Sequence, residues 1–422
     1  MDLYNIISVI IILASFFAIV NQRFFRLPNN VGVMLIAIAV SVIVLAGSYF
    51  TKIRFGKAFS LFDSVDFSEL LIGVLLNFLL FAGTIQIRIK DLRKQQLPVI
   101  LFATIGVLIS AFIIGFLLYW IGGLVGFKFP FSHWLLFGAL ISPTDPVSVL
   151  NLTKEADIPA SLETKIAGES LFNYGIALVL FVSVLNAIHN PDEAVSIAEI
   201  LKVFAVEVLG AVALGIAIGF IGARVLYKTP DPKIHVMFSL AIVMGGQLLA
   251  DFLHMSAPLT MVAAGIFFGN YGKQFAMHED TGRYLDIFWE VIDEILNVIL
   301  FALIGFQLLN IDNYERYWKV GLLAIAVVLL ARYVSILLPS LIVRLQQKMP
   351  PRVILFLTWG GLRGGISIAL ALTLSYRLHK DLFVFITYCV VIFSVLVQGL
   401  TLEKFFLGKS SFRQEIKDVD EG

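Results

Sequence analysis

Long apolar runs separated by short polar loops occupy most of the chain. Runs of about 17 to 28 residues are long enough to cross a bilayer as helices. The pattern therefore predicts an all-α polytopic membrane protein with about thirteen transmembrane spans. These spans are residues 3–20, 31–49, 68–87, 98–121, 131–152, 160–187, 199–226, 234–252, 257–272, 287–308, 318–343, 352–376 and 382–403.

The distribution of Lys and Arg between the loops predicts the orientation. Alternate loops carry roughly twenty cations on one side and roughly eight on the other, and the richer side is expected to be cytoplasmic. Thirteen spans then place the N-terminus outside and the C-terminus inside. No loop is long enough for a soluble regulatory domain, and residues 406–422 are predicted to be a short cytoplasmic tail.

Composition narrows the function classes. The 422 residues are 59% hydrophobic and 14% charged, unlike a soluble protein, so the lipid bilayer is the expected partner. The net charge of +1 gives no reason to expect nucleic acid. The single cysteine, Cys389, rules out an internal disulfide framework. No nucleotide-binding, hydrolase or metalloprotease motif is present, so we expect neither an enzyme nor a cofactor.

Two of the predicted spans are interrupted. In the fifth, Pro143 and Pro146 flank Asp145; in the twelfth, four glycines surround Arg363 within TWGGLRGGIS, residues 358–367. If residues 1–195 and 231–405 are two inverted six-helix repeats joined by a seventh span in 196–230, the interruptions occupy corresponding positions. Paired broken helices of this kind indicate the binding site of a secondary transporter.

Asp145 is the first candidate for chemistry. A carboxylate at membrane depth is costly, and such a residue is a functional-site hypothesis by default. Its charge can be stabilised by the ends of a broken helix, whereas desolvation favours its protonated form. Competition between a proton and a cation on Asp145, with Thr144 as an oxygen ligand, is a minimal antiport mechanism. The alternative is an aspartate that only caps a helix at an irregular turn.

A buried arginine needs a counter-charge, and Glu169 in the sixth span is the predicted partner of Arg363. We expect this Glu169–Arg363 pair to be structural, because a carboxylate engaged by arginine is a poor proton carrier near neutral pH. The glycines of the twelfth span are also consistent with plain helix packing. Glu207 and Arg332 are expected to neutralise each other or other partners.

Two further patterns lie in the second half of the chain. Glu290, Asp293 and Glu294 open the tenth span, where they either cap the helix or line an acidic cation funnel. Gly215 and Gly219 in the seventh span have the small-xxx-small spacing that favours close helix packing.

Four strings, SPTDPVSVL, GESLFNYG, FWEVIDEILNVILFALIG and TWGGLRGGISIALAL, resemble the monovalent cation:proton antiporter-1 family, the NhaP-like sodium/proton exchangers. The resemblance covers essentially the whole transmembrane chain. It implies thirteen helices, a homodimer, and a core domain that moves against a dimerisation domain. It also implies that Asp145, Thr144 and Asn173 lie where the fifth and twelfth helices cross, with Glu169 paired to Arg363.

The chain departs from the family pattern at one position. The sixth-span motif of the family normally reads Asn-Asp, and its aspartate is the principal ion-binding carboxylate; here Tyr174 stands at that position. A phenol, with an ordinary pKa of about 10, is uncharged at pH 7. Three hypotheses remain. Transport runs on Asp145 alone with altered coupling or selectivity, the chain is an inactive relative with another role, or it is a variant of a parent with aspartate at position 174.

The sequence thus predicts an exchanger of protons for a monovalent cation, sodium in the first instance, in a bacterial inner membrane. The predicted cation ligands are Asp145 and Thr144, with Asn173 and Tyr174 at the same site. The alternative is a channel-like or non-transporting membrane protein that keeps the antiporter fold.

Overall fold

The computed structural model describes residues 3–51, 73–145, 160–190, 202, 204–227, 229–276, 279–310, 314–345, 347 and 349–407. In these residues the chain is helical and forms no strand. The α-helices are α1 Leu3–Val20, α2 Asn29–Thr51, α3 Leu76–Thr84, α4 Ile89–Lys94, α5 Gln96–Leu101, α6 Val107–Leu124, α7 Phe131–Ile141, α8 Ala160–His189, α9 Ala211–Val225, α10 Pro232–Phe252, α11 Ala257–Phe267, α12 Glu279–Phe306, α13 Tyr314–Val343, α14 Pro351–Trp359, α15 Gly365–Thr373, α16 Lys380–Ile392 and α17 Leu400–Leu402.

Several α-helices continue through turns of other helical types. Wider π-type turns are Asn21–Phe25, Phe102–Gly106, Ala205–Gly210, Phe268–Ala276, Phe393–Gly399 and Glu403–Leu407. Tighter 3-10 turns are Gln307–Asn310 and Tyr376–Leu378.

The length and composition of the helices are those of an integral membrane protein. Eight helices in the described part of the chain are long and apolar enough to cross a bilayer, and two shorter apolar ones include α7. Each predicted span overlaps a described helix. The all-helical fold class is therefore confirmed. The count of thirteen spans and the division into repeats 1–195 and 231–405 stay predictions, and tail residues 408–422 lie outside the described residues.

The predicted interruptions are present where the structure describes them. In the twelfth span, α14 ends at Trp359 and α15 begins at Gly365, with residues 360–364 non-helical between them. In the fifth, α7 ends at Ile141 and residues 142–145 are non-helical, whereas Pro146 lies outside the described residues.

The helices pack in two groups. In one, α9 packs on α11, α11 on α3, and α12 on α2; in the other, α6 packs on α7 and α13, and α13 on α16. Helix α8 contacts both groups, because Leu171 and Tyr174 belong to a core with α3, α11 and α12, whereas Phe181 and Val184 belong to one with α7, α13 and α16. The site residues of α8 therefore lie at the boundary between the groups.

Glycines bring α9, α11 and α3, which we call the scaffold bundle, into backbone contact. A Cβ at Gly215 would lie 2.3 Å from the Thr260 carbonyl oxygen, and one at Gly219 2.8 Å from that of Ala264. On the opposite face of α11, a Cβ at Gly265 would lie 2.1 Å from Thr84 Oγ1. The expected close packing at Gly215 and Gly219 is therefore confirmed.

Candidate functional site

The two non-helical segments meet, and we call residues 142–145 together with 360–364 the crossing. The backbone N–H of Asp145 donates to the carbonyl oxygen of Leu362 at 2.8 Å. Gly364 permits this approach, because a Cβ there would lie 2.4 Å from Asp145 Oδ2. Asp145 is 6% exposed, so its carboxylate lies inside the protein beside the break in the twelfth span.

Arg363 ties the two halves of the crossing together. Its guanidinium Nη1 donates to the carbonyl oxygen of Ser142, which the end of α7 leaves without a helical partner. Its own backbone N–H donates to Ser394 Oγ at 2.9 Å, and Ser394 in turn donates to Gln398 Oε1 at 2.7 Å. Gln398 Nε2 donates to the Trp359 carbonyl oxygen at 2.9 Å, so the thirteenth span satisfies backbone groups that the break exposes.

Helix α8 contributes polar side chains to the same place. Asn173 Nδ2 donates to Thr144 Oγ1 at 2.8 Å, and Thr144 Oγ1 lies 2.9 Å from Ser170 Oγ. All three side chains are buried. The predicted neighbours Thr144, Asn173 and Asp145 are therefore brought together, and Ser170 joins them.

The ion pair of Glu169 differs from the expectation. Glu169 Oε1 accepts a hydrogen bond from Arg332 Nη1, and no ion pair joins Glu169 to Arg363 in the described residues. Arg332, on α13, also donates to the Leu357 carbonyl oxygen at 3.2 Å. The absence of a side chain at Gly361 makes room for it, since a Cβ there would lie 2.3 Å from Arg332 Nε. Glu169 is therefore paired with Arg332 and not with the expected Arg363, and of the two alternatives for Arg332 the structure shows a partner other than Glu207.

A cavity of about 370 Å³ leads to the crossing. Asp145 and Tyr174 line one part of it, and residues of the basic segment around α4, including Arg88 and Asp91, line another. Apolar side chains form much of the remaining wall, whose polar members are Asp293 and Asn297 of α12 together with Gln86, Glu163 and Thr164. Tyr174 is 6% exposed and presents an uncharged group where the resemblance leads us to expect a carboxylate.

Sequence reasoning missed Ser170, Ser394 and Gln398 and assigned Glu169 the wrong arginine. Ser170 stands three residues before Asn173, on the same face of a helix, which is a usable signal. Ser394 and Gln398 are also one turn apart, but nothing in the sequence indicates that their face meets the twelfth span. In the described residues, no group of three His, Cys, Asp or Glu side chains is arranged to hold a metal ion.

The model of a protein family described as "Sodium/hydrogen exchanger, transmembrane" matches residues 11–408 of this chain. The chain belongs to the sodium/hydrogen exchanger family. Among curated proteins, this exchanger is 41% identical over 404 residues to the Na(+)/H(+) antiporter NhaP of Pseudomonas aeruginosa, covering 94% of this chain and 95% of that one. It is 30% identical over 406 residues to the Na(+)/H(+) antiporter NhaH of Halobacillus dabanensis, covering 94% and 96%.

The fold of this exchanger is similar to a solved one. The sodium proton antiporter MjNhaP1 from Methanocaldococcus jannaschii at pH 8 aligns with a TM-score of 0.74 and 19% identity, over 97% of this chain and 100% of that chain. At this identity the likeness establishes the fold. It agrees with the helical architecture described above.

Proposed function

We propose that this chain exchanges a monovalent cation, sodium in the first instance, for protons, with Asp145 as the carboxylate that both ions occupy in turn. The proposal depends on the surroundings of that carboxylate. Asp145 is buried at a crossing of two interrupted spans and also lines the cavity. Intramembrane carboxylates in such positions mark ion pathways.

One observation carries the proposal of a cation site. Asn173 uses its amide nitrogen on Thr144 Oγ1, and its buried Oδ1 accepts no hydrogen bond from the described residues. A buried oxygen without a donor is costly, and a bound cation would satisfy it. The carboxylate of Asp145, the hydroxyl of Thr144 and this amide oxygen are the hard ligands that an alkali cation prefers.

Exchange follows from competition at the carboxylate. Protonation of Asp145 removes the charge that holds the cation, and cation binding disfavours the proton. Glu169 and Arg332 neutralise each other, and Arg363 is held by the Ser142 carbonyl oxygen, so these groups maintain the geometry of the site. With an uncharged Tyr174, one carboxylate carries one proton for each monovalent cation.

Proteoliposomes with an imposed pH gradient test the function. Sodium, lithium or potassium is added to wild type, to Asp145→Asn and to Tyr174→Asp, with protein incorporation measured for each. We expect sodium to dissipate the gradient with wild type and not with Asp145→Asn. If only Tyr174→Asp dissipates the gradient, the wild-type chain has the fold without the activity. If neither wild type nor Tyr174→Asp moves protons, exchange is the wrong function.

Tyr174 itself favours a second candidate, a channel-like or non-transporting membrane protein. Its ring reaches the cavity without supplying negative charge, so the site has one carboxylate fewer than the resemblance implies. Saturable, proton-coupled cation flux would exclude this alternative. Cation conductance without proton movement would support it.

The setting of the transporter is also a proposal. We propose a bacterial plasma membrane, with the N-terminus outside and the C-terminus cytoplasmic, and a homodimer. Bacterial relatives and the excess of Lys and Arg in alternate loops support the membrane and the orientation. Cysteine labelling from each side of intact cells, and mass measurement in detergent, test the orientation and the dimer.

A further inference from the structure

Four carboxylates lie between residues 286 and 294 of helix α12, and they have different surroundings. Asp286 forms an ion pair with Lys273, with Oδ1 and Nζ 2.5 Å apart. Glu294 Oε1 accepts a hydrogen bond from Asn29 Nδ2 at 2.6 Å, and Glu290 is exposed. Asp293 alone among the four lines the cavity that reaches Asp145. The face of α12 that lines this cavity continues inward from Asp293 through Asn297 to Leu300.

The depth of Asp293 follows from helix geometry. A Cβ at Gly365, the first residue after the crossing, would lie 2.6 Å from Leu300 Cδ1, so Leu300 marks the level of the crossing. Asp293 precedes Leu300 by seven residues, or about 10 Å along a helix that rises about 1.5 Å per residue. Glu163, another carboxylate of the cavity, precedes Tyr174 by eleven residues, or about 16 Å. Asp293 is therefore closer to the crossing than Glu163.

Asn297 stands one turn inward from Asp293, and the orientation of its amide is fixed. Its Nδ2 donates to the backbone carbonyl oxygen of Asp293 at 2.8 Å. Because that partner can only accept, the nitrogen faces the helix backbone, and the amide oxygen remains for the cavity that Asn297 lines. A carboxylate and an amide oxygen on one face of α12 are ligands suited to a hard monovalent cation.

We infer that Asp293 and Asn297 form a second cation site on the path to Asp145, from which the cation passes to the crossing. The inference rests on the proposed exchange function and adds a specificity-determining pair to it. The rest of this cavity wall near the crossing is largely apolar, formed by residues such as Leu76, Leu80 and Leu171. Such a wall offers no ligands to a cation that has lost part of its hydration shell. The carboxylate of Asp293, about two turns before the level of Asp145, attracts the cation and raises the local cation concentration near the crossing.

Transport kinetics test the pair. Asp293→Asn should raise the apparent KM for sodium by about three- to ten-fold, the size expected for losing one attractive charge roughly 10 Å from the main site, and should leave the maximum rate within about two-fold. Glu290→Gln is the matched control, since it removes the same charge from an exposed position on the same helix and should leave KM unchanged. Asp293→Glu, which keeps the charge, should retain most of the wild-type affinity.

Two outcomes would overturn the inference. One is equal KM values for Asp293→Asn and Glu290→Gln. The other is an unchanged KM in Asn297→Ala, which removes the amide oxygen. Asn297→Ala also replaces Asp293→Asn as the test if the latter does not fold. If wild type shows no exchange, sodium-dependent thermal stabilisation of the purified protein decides separately. Stabilisation by sodium that persists in Asp145→Asn and is lost in Asp293→Asn would support the second site even though the proposed exchange function had failed. Stabilisation by sodium that is the same in wild type and Asp293→Asn would exclude the second site.

Discussion

The scaffold bundle and the crossing both depend on glycine, for opposite reasons. In the scaffold bundle, Gly215 and Gly265 bring a helix against backbone or a small side chain of the next helix. In the crossing, Gly361 and Gly364 admit Arg332 and Asp145, which are charged. One region uses the missing side chain to join neutral helices, and the other uses it to make room for charge.

The difference separates stability from chemistry. Close backbone packing of neutral helices gains dispersion energy and does not depend on protonation. Buried charges cost desolvation energy and are kept where each has a specific partner. We therefore expect substitutions in the scaffold bundle to change stability and those in the crossing to change transport as well.

Removal of Arg332 should have the largest effect. Arg332→Leu leaves Glu169 buried without its partner, which costs about 3–5 kcal/mol for a buried ion pair. Unfolding in detergent by denaturant measures this loss. Adding Glu169→Gln to Arg332→Leu should recover a substantial part of it. A loss below about 1 kcal/mol, or no recovery in the double variant, would show that the pair does not hold α8 to α13.

A methyl group in the scaffold bundle should have the next largest effect. Gly265→Ala places a Cβ 2.1 Å from Thr84 Oγ1 and 3.0 Å from the Phe81 carbonyl oxygen, so α11 and α3 must separate. We expect a loss of about 1–3 kcal/mol with residual transport, measured by unfolding and by exchange in proteoliposomes.

Gly245→Ala is the control for that experiment. Gly245 lies within α10, and a Cβ there would meet nothing within 4 Å. It should be neutral or stabilising by about 0.5–1 kcal/mol, as for other helix-interior glycines. Equal effects of the two substitutions would contradict the packing account.

Gly364→Ala should separate the two regions most clearly. The new Cβ would lie 2.4 Å from Asp145 Oδ2 and 2.8 Å from Asp145 Cβ, so both the carboxylate and the backbone that carries it must shift, and stability should fall by about 1–2 kcal/mol. Displacing the carboxylate should nevertheless reduce transport at least ten-fold. Normal transport in this variant would mean that the position of Asp145 beside Gly364 is not required.

The smallest effect is expected at His379, the residue that precedes α16. Burial lowers the pKa of His379, and the nearby His133, with ring centroids 5.3 Å apart, lowers it further. The unfolded chain therefore binds a proton first as pH falls below about 6.5, and the folded state loses stability on that side. His379→Asn, which also tolerates the left-handed backbone at this position, should weaken the decline between pH 7 and 5. An unchanged decline would assign it to other groups.

Local chemistry made part of the fold and site predictable. Prolines predicted the interruption of the fifth span and glycines that of the twelfth. Asp145 and Arg363 became candidate functional residues because they lie at these interruptions. The partner of Glu169 was not predictable, because Arg332 and Arg363 both lie in apolar spans and only the packing of α13 against α8 decides between them. The roles of Asp293 and Ser394 also depend on which helix faces meet, information that the spacing of residues along one helix does not contain.

The central claim is that one carboxylate at the crossing exchanges a proton for a cation. Proton release on addition of sodium to purified, weakly buffered protein tests it most directly. The account predicts that wild type releases up to one proton for each sodium ion bound and that Asp145→Asn releases none. Glu290→Gln, the matched charge control, should release as many protons as wild type. Equal proton release from wild type and Asp145→Asn would contradict the account.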